Sequence, residues 1–176
     1  MLYTARFTNS LKHDHLWVWL IFFSFIVNAD RAVGCTPTLI VHPRGGTESA
    51  SPADGLSYPS GTAINFYVEI SSSCYWVIFW KDSNGNVFNI SPNHLLHEYG
   101  VYANTSSRFR LPSGANQNFT LDNIIGTEII ILMGRDKPFA DLSMVGRTIA
   151  KSSTSQLHSN LSVFGSQLLI QEIGHD

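Results

Sequence analysis

A chain of 176 residues that is 44% hydrophobic and 14% charged carries enough apolar side chain for one domain with a real core, which excludes an intrinsically disordered segment. The formal charge is −2, and removal of residues 1–29, which carry Arg6, Lys12 and Asp14, makes the balance more acidic still. No basic field exists to hold phosphates, so nucleic acid is excluded as a partner and an acidic lipid surface gains no support.

Residues 16–27 (LWVWLIFFSFIV) are apolar throughout and follow Arg6 and Lys12, the order of charged and apolar regions in a secretory signal. The run is shorter than the roughly 20 residues of a comfortable membrane span. Val27-Asn28-Ala29 supplies modest or small residues for cleavage after Ala29. The chain therefore divides into a signal peptide over 1–29, a linker with one short strand over 30–60, and a β-sandwich domain over 61–176. Asp30 and Arg31 leave an uncleaved N-terminal anchor as the second reading of 1–29. Ala32-Val33-Gly34-Cys35 also looks like a bacterial lipobox, which makes Cys35 a candidate for lipidation; the membrane is expected only through that lipid or the anchor. An unlipidated Cys35 is free to pair with Cys74 in an oxidising compartment, closing a loop worth about 3.9 kcal/mol by chain entropy. Two cysteines alone make no metal framework.

Residues 36–60 are rich in Pro, Gly, Ser and Ala and read as a tether in which 38–42 is a short strand. In residues 63–70, Ile64, Phe66, Val68 and Ile70 alternate with Asn65, Tyr67 and Glu69, the period of a half-buried strand with the second set facing water. Residues 74–80 (CYWVIFW) are apolar on both alternating faces, so they predict a central strand covered on each side. Asn84-Gly85 offers the positive φ values of a two-residue hairpin turn, with 87–90 running back. Past Ser91-Pro92-Asn93 the pattern loosens through Tyr102. Phe109 and Leu111 then alternate with Arg108 and Arg110, Phe119 and Leu121 suggest another short strand, and the β-branched run 127–133 predicts a second core strand. Beyond Pro138, the residues Phe139, Leu142, Val145 and Ile149 form one face of a short helix. A Ser-rich link (SSTS) and a closing strand over 168–173 complete the chain. These elements predict a mostly β fold: a small antiparallel β-sandwich or barrel with one short C-terminal helix.

Signatures of chemistry are sparse. Asp82, Asn84, Asn86 and Asn89 place oxygen ligands around a glycine, but the same residues are what a tight turn demands, and the plain turn is preferred. His94 and His97, beside Glu98, put two imidazoles three apart that can share a metal, but the local sequence does not complete the ligand set and the pattern is not HExxH, so they read as solvated loop histidines. No GxSxG, SxxK, GxGxxG or GxxxxGK occurs, so no catalytic, cofactor-binding or metal residue is assigned and no cofactor is expected. Tyr67, Tyr99 and Tyr102, with Tyr75 beside them, are candidates for an exposed contact surface, weighed against simple core filling.

Gly61-Thr62 with 64–70, Tyr75 to Trp80, Asp82 to Val87, Ile90-Ser91-Pro92-Asn93, Arg110-Leu111-Pro112 and Gly126-Thr127-Glu128 through Lys137-Pro138 together resemble a bacterial domain of unknown function, the 4384 family, over about residues 61–138. Ser91 departs from the pattern, which more often has an aromatic or apolar residue before the proline. The resemblance implies a β-rich module of envelope-associated or multidomain bacterial proteins, with no catalytic residues to carry over. The expectation is an exported accessory or docking module of an envelope or secretion-related assembly, periplasmic or envelope-bound, with a protein partner. A carbohydrate- or peptidoglycan-binding module is the alternative, marked by an exposed row of Tyr67, Tyr75 and Trp76. An unrecognised hydrolase is the third reading, marked by carboxylates, or a His beside a Ser, converging in a pocket.

Overall fold

The computed structural model describes residues 35–44, 56–93, 98–165 and 167–175. The expected signal peptide or anchor, the lipobox residues before Cys35, and His94 and His97 lie outside the described residues. In chain order the elements are β1 (Thr38–Pro43), β2 (Leu56–Tyr58), β3 (Ala63–Ile70), β4 (Cys74–Lys81), β5 (Val87–Asn89), β6 (Val101–Ala103), β7 (Ser107–Leu111), β8 (Phe119–Thr120), β9 (Gly126–Arg135), α1 (Leu142–Lys151), α2 (Thr154–Ser162) and β10 (Gln167–His175).

Among the described residues these elements form two open sheets, and no barrel closes. In the first, β3 lies between β1 on one side and β7 and β8 on the other. The second runs β2-β10-β9-β4-β5, with β6 also pairing β4. Every pairing is antiparallel except that of β2 with β10.

The period-2 geometry of β4 explains why its sequence is apolar throughout. Cys74, Trp76 and Ile78 point into a core shared with Leu39, Val41, Ile64, Phe66 and Val68 of the first sheet. Val77 and Phe79 point the other way, into a second core with Ile131, Met133, Phe139, Val145, Ile149, Leu157 and Leu161. The second sheet is thus the middle of three layers, with the first sheet on one face and the two helices on the other. Each fully buried side chain of this size contributes roughly 1.5–3 kcal/mol. β1 belongs to this core: Leu39 and Val41 are buried, and every residue of the strand is paired with β3.

The structure corrects the sequence reading at four places. The Ser-rich link is the start of a second helix: Ser153 and Gln156 form a capping box, and Leu157 and Leu161, four apart, bury its inner face. Phe139 precedes α1 instead of opening it; Asp141 caps the helix by accepting from the Met144 N–H at 2.9 Å. The hairpin loop has three residues: the Asp82 N–H donates to the Asn86 carbonyl, the Gly85 N–H donates to the Asp82 carbonyl, and Gly85 has φ +85°. That is a type I turn followed by a left-handed glycine, in place of a two-residue turn. Asn65, read as facing water, is 7% exposed. Its Nδ2 donates to Asn118 Oδ1, and its Oδ1 accepts from Arg110, whose guanidinium also donates to the carbonyls of Pro112, Gly114 and Gln117. The loop after β7 is therefore wrapped around one arginine, and Asn65 is buried under it.

Candidate functional site

Cys35 and Cys74 are joined in a disulfide. It ties the segment before β1 to the first residue of β4, and the Cys35 N–H also donates to Asp136. A thioether to a lipid needs the same sulfur, so the lipidated reading of Cys35 and this bond exclude one another. Gly134 of β9 makes room for the bridge: a Cβ there would lie 2.5 Å from Cys35 Sγ and 2.7 Å from Pro37 Cδ. Disulfides persist in oxidising compartments, so the bridge is compatible with export. Among the described residues no helix is long and apolar enough to cross a membrane.

The tyrosines do not form one surface. Tyr67 lies on the outward face of the first sheet, with the Arg108 guanidinium 4.4 Å above its ring and Glu69 paired to that arginine. Tyr99 and Tyr102 are 56% and 53% exposed at the β6 edge of the second sheet, where Tyr102 packs on Tyr75 at 4.9 Å between ring centroids. Trp76 points into the core between the sheets and is fully buried. The flat row of Tyr67, Tyr75 and Trp76 that would mark a sugar platform is therefore absent.

The turn residues have other uses than calcium. The Asp82 carboxylate accepts from the backbone N–H and the Nδ2 of Asn86, and Asn89 Oδ1 accepts from the Ser91 N–H. Among the described residues, no group of three or more His, Cys, Asp or Glu side chains could hold a metal ion. Ser91, the departure from the family pattern, is buried where β5 gives way to β6 along β4, and its hydroxyl accepts the Ile78 N–H at 3.0 Å. An apolar residue there would leave that buried donor unpaired.

The site that sequence reasoning missed is an open cleft of about 410 Å³ between the two sheets at the hairpin end of the sandwich. Its apolar wall is Trp80, Phe88, Ile90 and Phe119; its polar groups are Asp82, Thr120, Asp122 and Glu128. Trp80 is the last inward-facing residue of β4, past the point where the core closes. It meets Phe119 edge-on at 5.3 Å and Phe66 edge-on at 5.8 Å. The indole N–H donates to Glu128, which is 1% exposed on β9. Asp122 accepts from the Ile124 N–H at 2.8 Å, and the Ser83 hydroxyl donates to the Ile124 carbonyl, drawing the 122–125 loop toward the hairpin. Phe88 is 52% exposed and Ile125 75%. No pairwise sequence signal links Trp80, Phe119 and Glu128; only the sheet packing brings them together.

The fold defines a two-sheet β-sandwich with helices on one outer face. Within it, residues 57–135 match the model of a domain of unknown function, DUF4384. The matched region runs from β2 to the end of β9 and holds every lining residue of the cleft. Among curated proteins and solved structures, none matches this chain.

Proposed function

We propose that the protein is an exported, non-catalytic docking module of a bacterial envelope or secretion-related assembly, and that its contact site is the cleft between the sheets. The observation that carries this reading is an aromatic wall left open to solvent at the one end of the sandwich where Phe88 projects outward. Aromatic residues are enriched at protein interfaces, and exposed apolar patches larger than a few hundred Å² mark contact sites. The carboxylates of the cleft are fixed in place by the protein's own framework, Asp82 by Asn86, Asp122 by Ile124 and Glu128 by Trp80, which presents a rigid polar rim to a partner. The disulfide and the apolar run at 16–27 support export.

A photo-crosslinking residue at position 88 of the full chain, expressed in bacterial cells, tests both halves. The expected result is a mature protein in the envelope fraction that begins after Ala29, carries the oxidised Cys35–Cys74 pair, and forms a discrete protein adduct from position 88 but not from Ser155 on α2. Recovery of intact chain from the cytosol, or adducts equal at both positions, overturns the reading.

A further inference from the structure

We propose that the cleft receives a lysine or arginine side chain, presented on an apolar-flanked segment of a partner protein. This deepens the docking reading above and rests on it.

The argument starts from the inventory of polar groups in the wall. Asp82 and Asp122 are solvent-accessible carboxylates, Glu128 is a third that is 1% exposed and already accepts from the Trp80 indole, and Thr120 is a hydroxyl; among the described residues no lysine, arginine, asparagine or glutamine lines the cleft. Ionised carboxylates only accept hydrogen bonds. A sugar hydroxyl both donates and accepts, and among these side chains only the Thr120 hydroxyl could donate back to it. Ammonium and guanidinium groups only donate, three and five hydrogens respectively, and match a lining whose polar side chains are carboxylates apart from one hydroxyl.

Charge points the same way. Asp82 and Asp122, with no basic residue among the described residues of the wall, make a local field that attracts a cation and repels an anion. The nearest cation in sequence, Lys81, is turned away: its ammonium donates to the carbonyls of Ile149 and Ser152 at the end of α1, on the opposite face of the sheet. Aromatic walls complete the match, because cations are drawn to the faces of Trp and Phe rings and the methylene stem of Lys or Arg packs on the same apolar surface.

Two features favour a polypeptide over a small organic cation. Exposed apolar surface is more than a single head group covers: Phe88 in the wall is 52% exposed, and Ile124 and Ile125, in the loop that follows Asp122, are exposed as well. The rim also joins two separate loops, the hairpin and residues 122–125, tied by the Ser83 hydroxyl on the Ile124 carbonyl. A basic side chain between apolar neighbours would fill the recess and cover this rim together.

The test uses the protein purified after export and three probes: a blocked pentapeptide with arginine between two isoleucines, the same peptide with glutamine at the centre, and chitotetraose. Amide resonances are followed by NMR titration. The expected result is saturable shifts at residues 80–90 and 119–128 with the arginine peptide, at least about tenfold weaker binding of the glutamine peptide, and weakening with added salt. Asp122→Asn keeps the hydrogen bond to the Ile124 N–H but removes the charge, and should weaken the arginine peptide alone. Phe88→Ala should weaken both peptides. Equal binding of the two peptides at the cleft overturns the basic guest while leaving a docking module in place. Saturable binding of chitotetraose there overturns both readings. Shifts elsewhere, or no saturation by the arginine peptide, overturn the proposed guest; a folded, unchanged spectrum of each variant without ligand separates lost binding from lost structure.

Discussion

Breaking the Cys35–Cys74 bridge is expected to remove a large part of the domain's stability. The two residues are 39 apart in sequence. Closing a loop of that length takes about 13 cal/mol/K of entropy from the unfolded chain, or about 3.9 kcal/mol at room temperature, against a typical total of roughly 5–15 kcal/mol. Both sulfurs are buried in the core between the sheets, and a reduced pair would stay there as two small apolar groups. Reduction therefore opens no cavity, and the chain-entropy difference is the main effect. Urea unfolding of the exported protein, followed by tryptophan fluorescence with and without dithiothreitol, measures it. With a slope of about 2 kcal/mol per molar for a domain of this size, the midpoint should fall by about 2 M. The Cys35→Ala/Cys74→Ala variant should show the lower midpoint in both buffers. Coincident midpoints for the oxidised and reduced wild type would refute the reasoning, since a loop already constrained in the unfolded chain gains nothing from closure.

Ile78→Asp should abolish stable folding by burying an unpaired charge, and Asn65→Leu should cost about 2–3 kcal/mol because it strips Arg110 and Asn118 of a buried partner; thermal melts that match the wild type would count against the register of β3 or β4. Gly85→Val should lose about 1 kcal/mol or more at φ +85°, equally in calcium and in chelator, whereas a calcium-dependent rise in melting temperature that Asp82→Ala removes would restore the metal reading of the turn. Gly134→Ala should destabilise the oxidised protein through its clash with Cys35 and Pro37, and less so in the Cys35→Ala/Cys74→Ala background, a coupling that a double-mutant cycle reads directly. Asp141 is held below the ordinary carboxylate value of 3.8 by hydrogen bonds from the Ser143 hydroxyl and the Met144 N–H. Because its folded pKa is the lower one, its contribution to α1 is present above the unfolded value and disappears as pH falls through the folded one. Melts in acid should show this loss in the wild type and not in Asp141→Asn, which keeps a capping oxygen without a titrating group.

The sequence made the strands legible where one physical constraint dominated. Alternation placed Ile64, Phe66, Val68 and Ile70 on the core side of β3, and the doubly apolar run of β4 announced a strand with cover on both faces. The reading failed where polar residues do core work. Asn65 obeys the alternation in direction, yet Arg110, two strand positions before Pro112, folds the following loop over it. The helix α2 was hidden by four hydroxyl residues whose individual propensity favours turns, although Ser153 and Gln156 have capping-box spacing and Leu157 and Leu161 share a face. The cleft was illegible for a different reason. Trp80, Phe119 and Glu128 lie on β4, β8 and β9, two of them in one sheet and the third in the other, and nothing local in any of the three segments specifies that packing.

The arrangement of long and short strands bears on how copies of this chain treat one another. The long strands β3, β4 and β9, of eight to ten residues, lie inside their sheets, while β10 is covered by β2 only at Ile173, Gly174 and His175. What borders them is short or broken: β5 and β6 divide one side of β4, β7 and β8 divide one side of β3, β2 has three residues, and β1 ends in Pro43, which has no N–H to offer. A neighbouring chain seeking to extend either sheet meets only short ladders beside β5, β6, β7 and β8, whereas the outer side of β1 and residues 167–172 of β10 are longer edges with no partner strand among the described residues. Backbone pairing between copies is thus confined to the β1 and β10 edges, and elsewhere the chain's associations fall to side chains projecting from the surface.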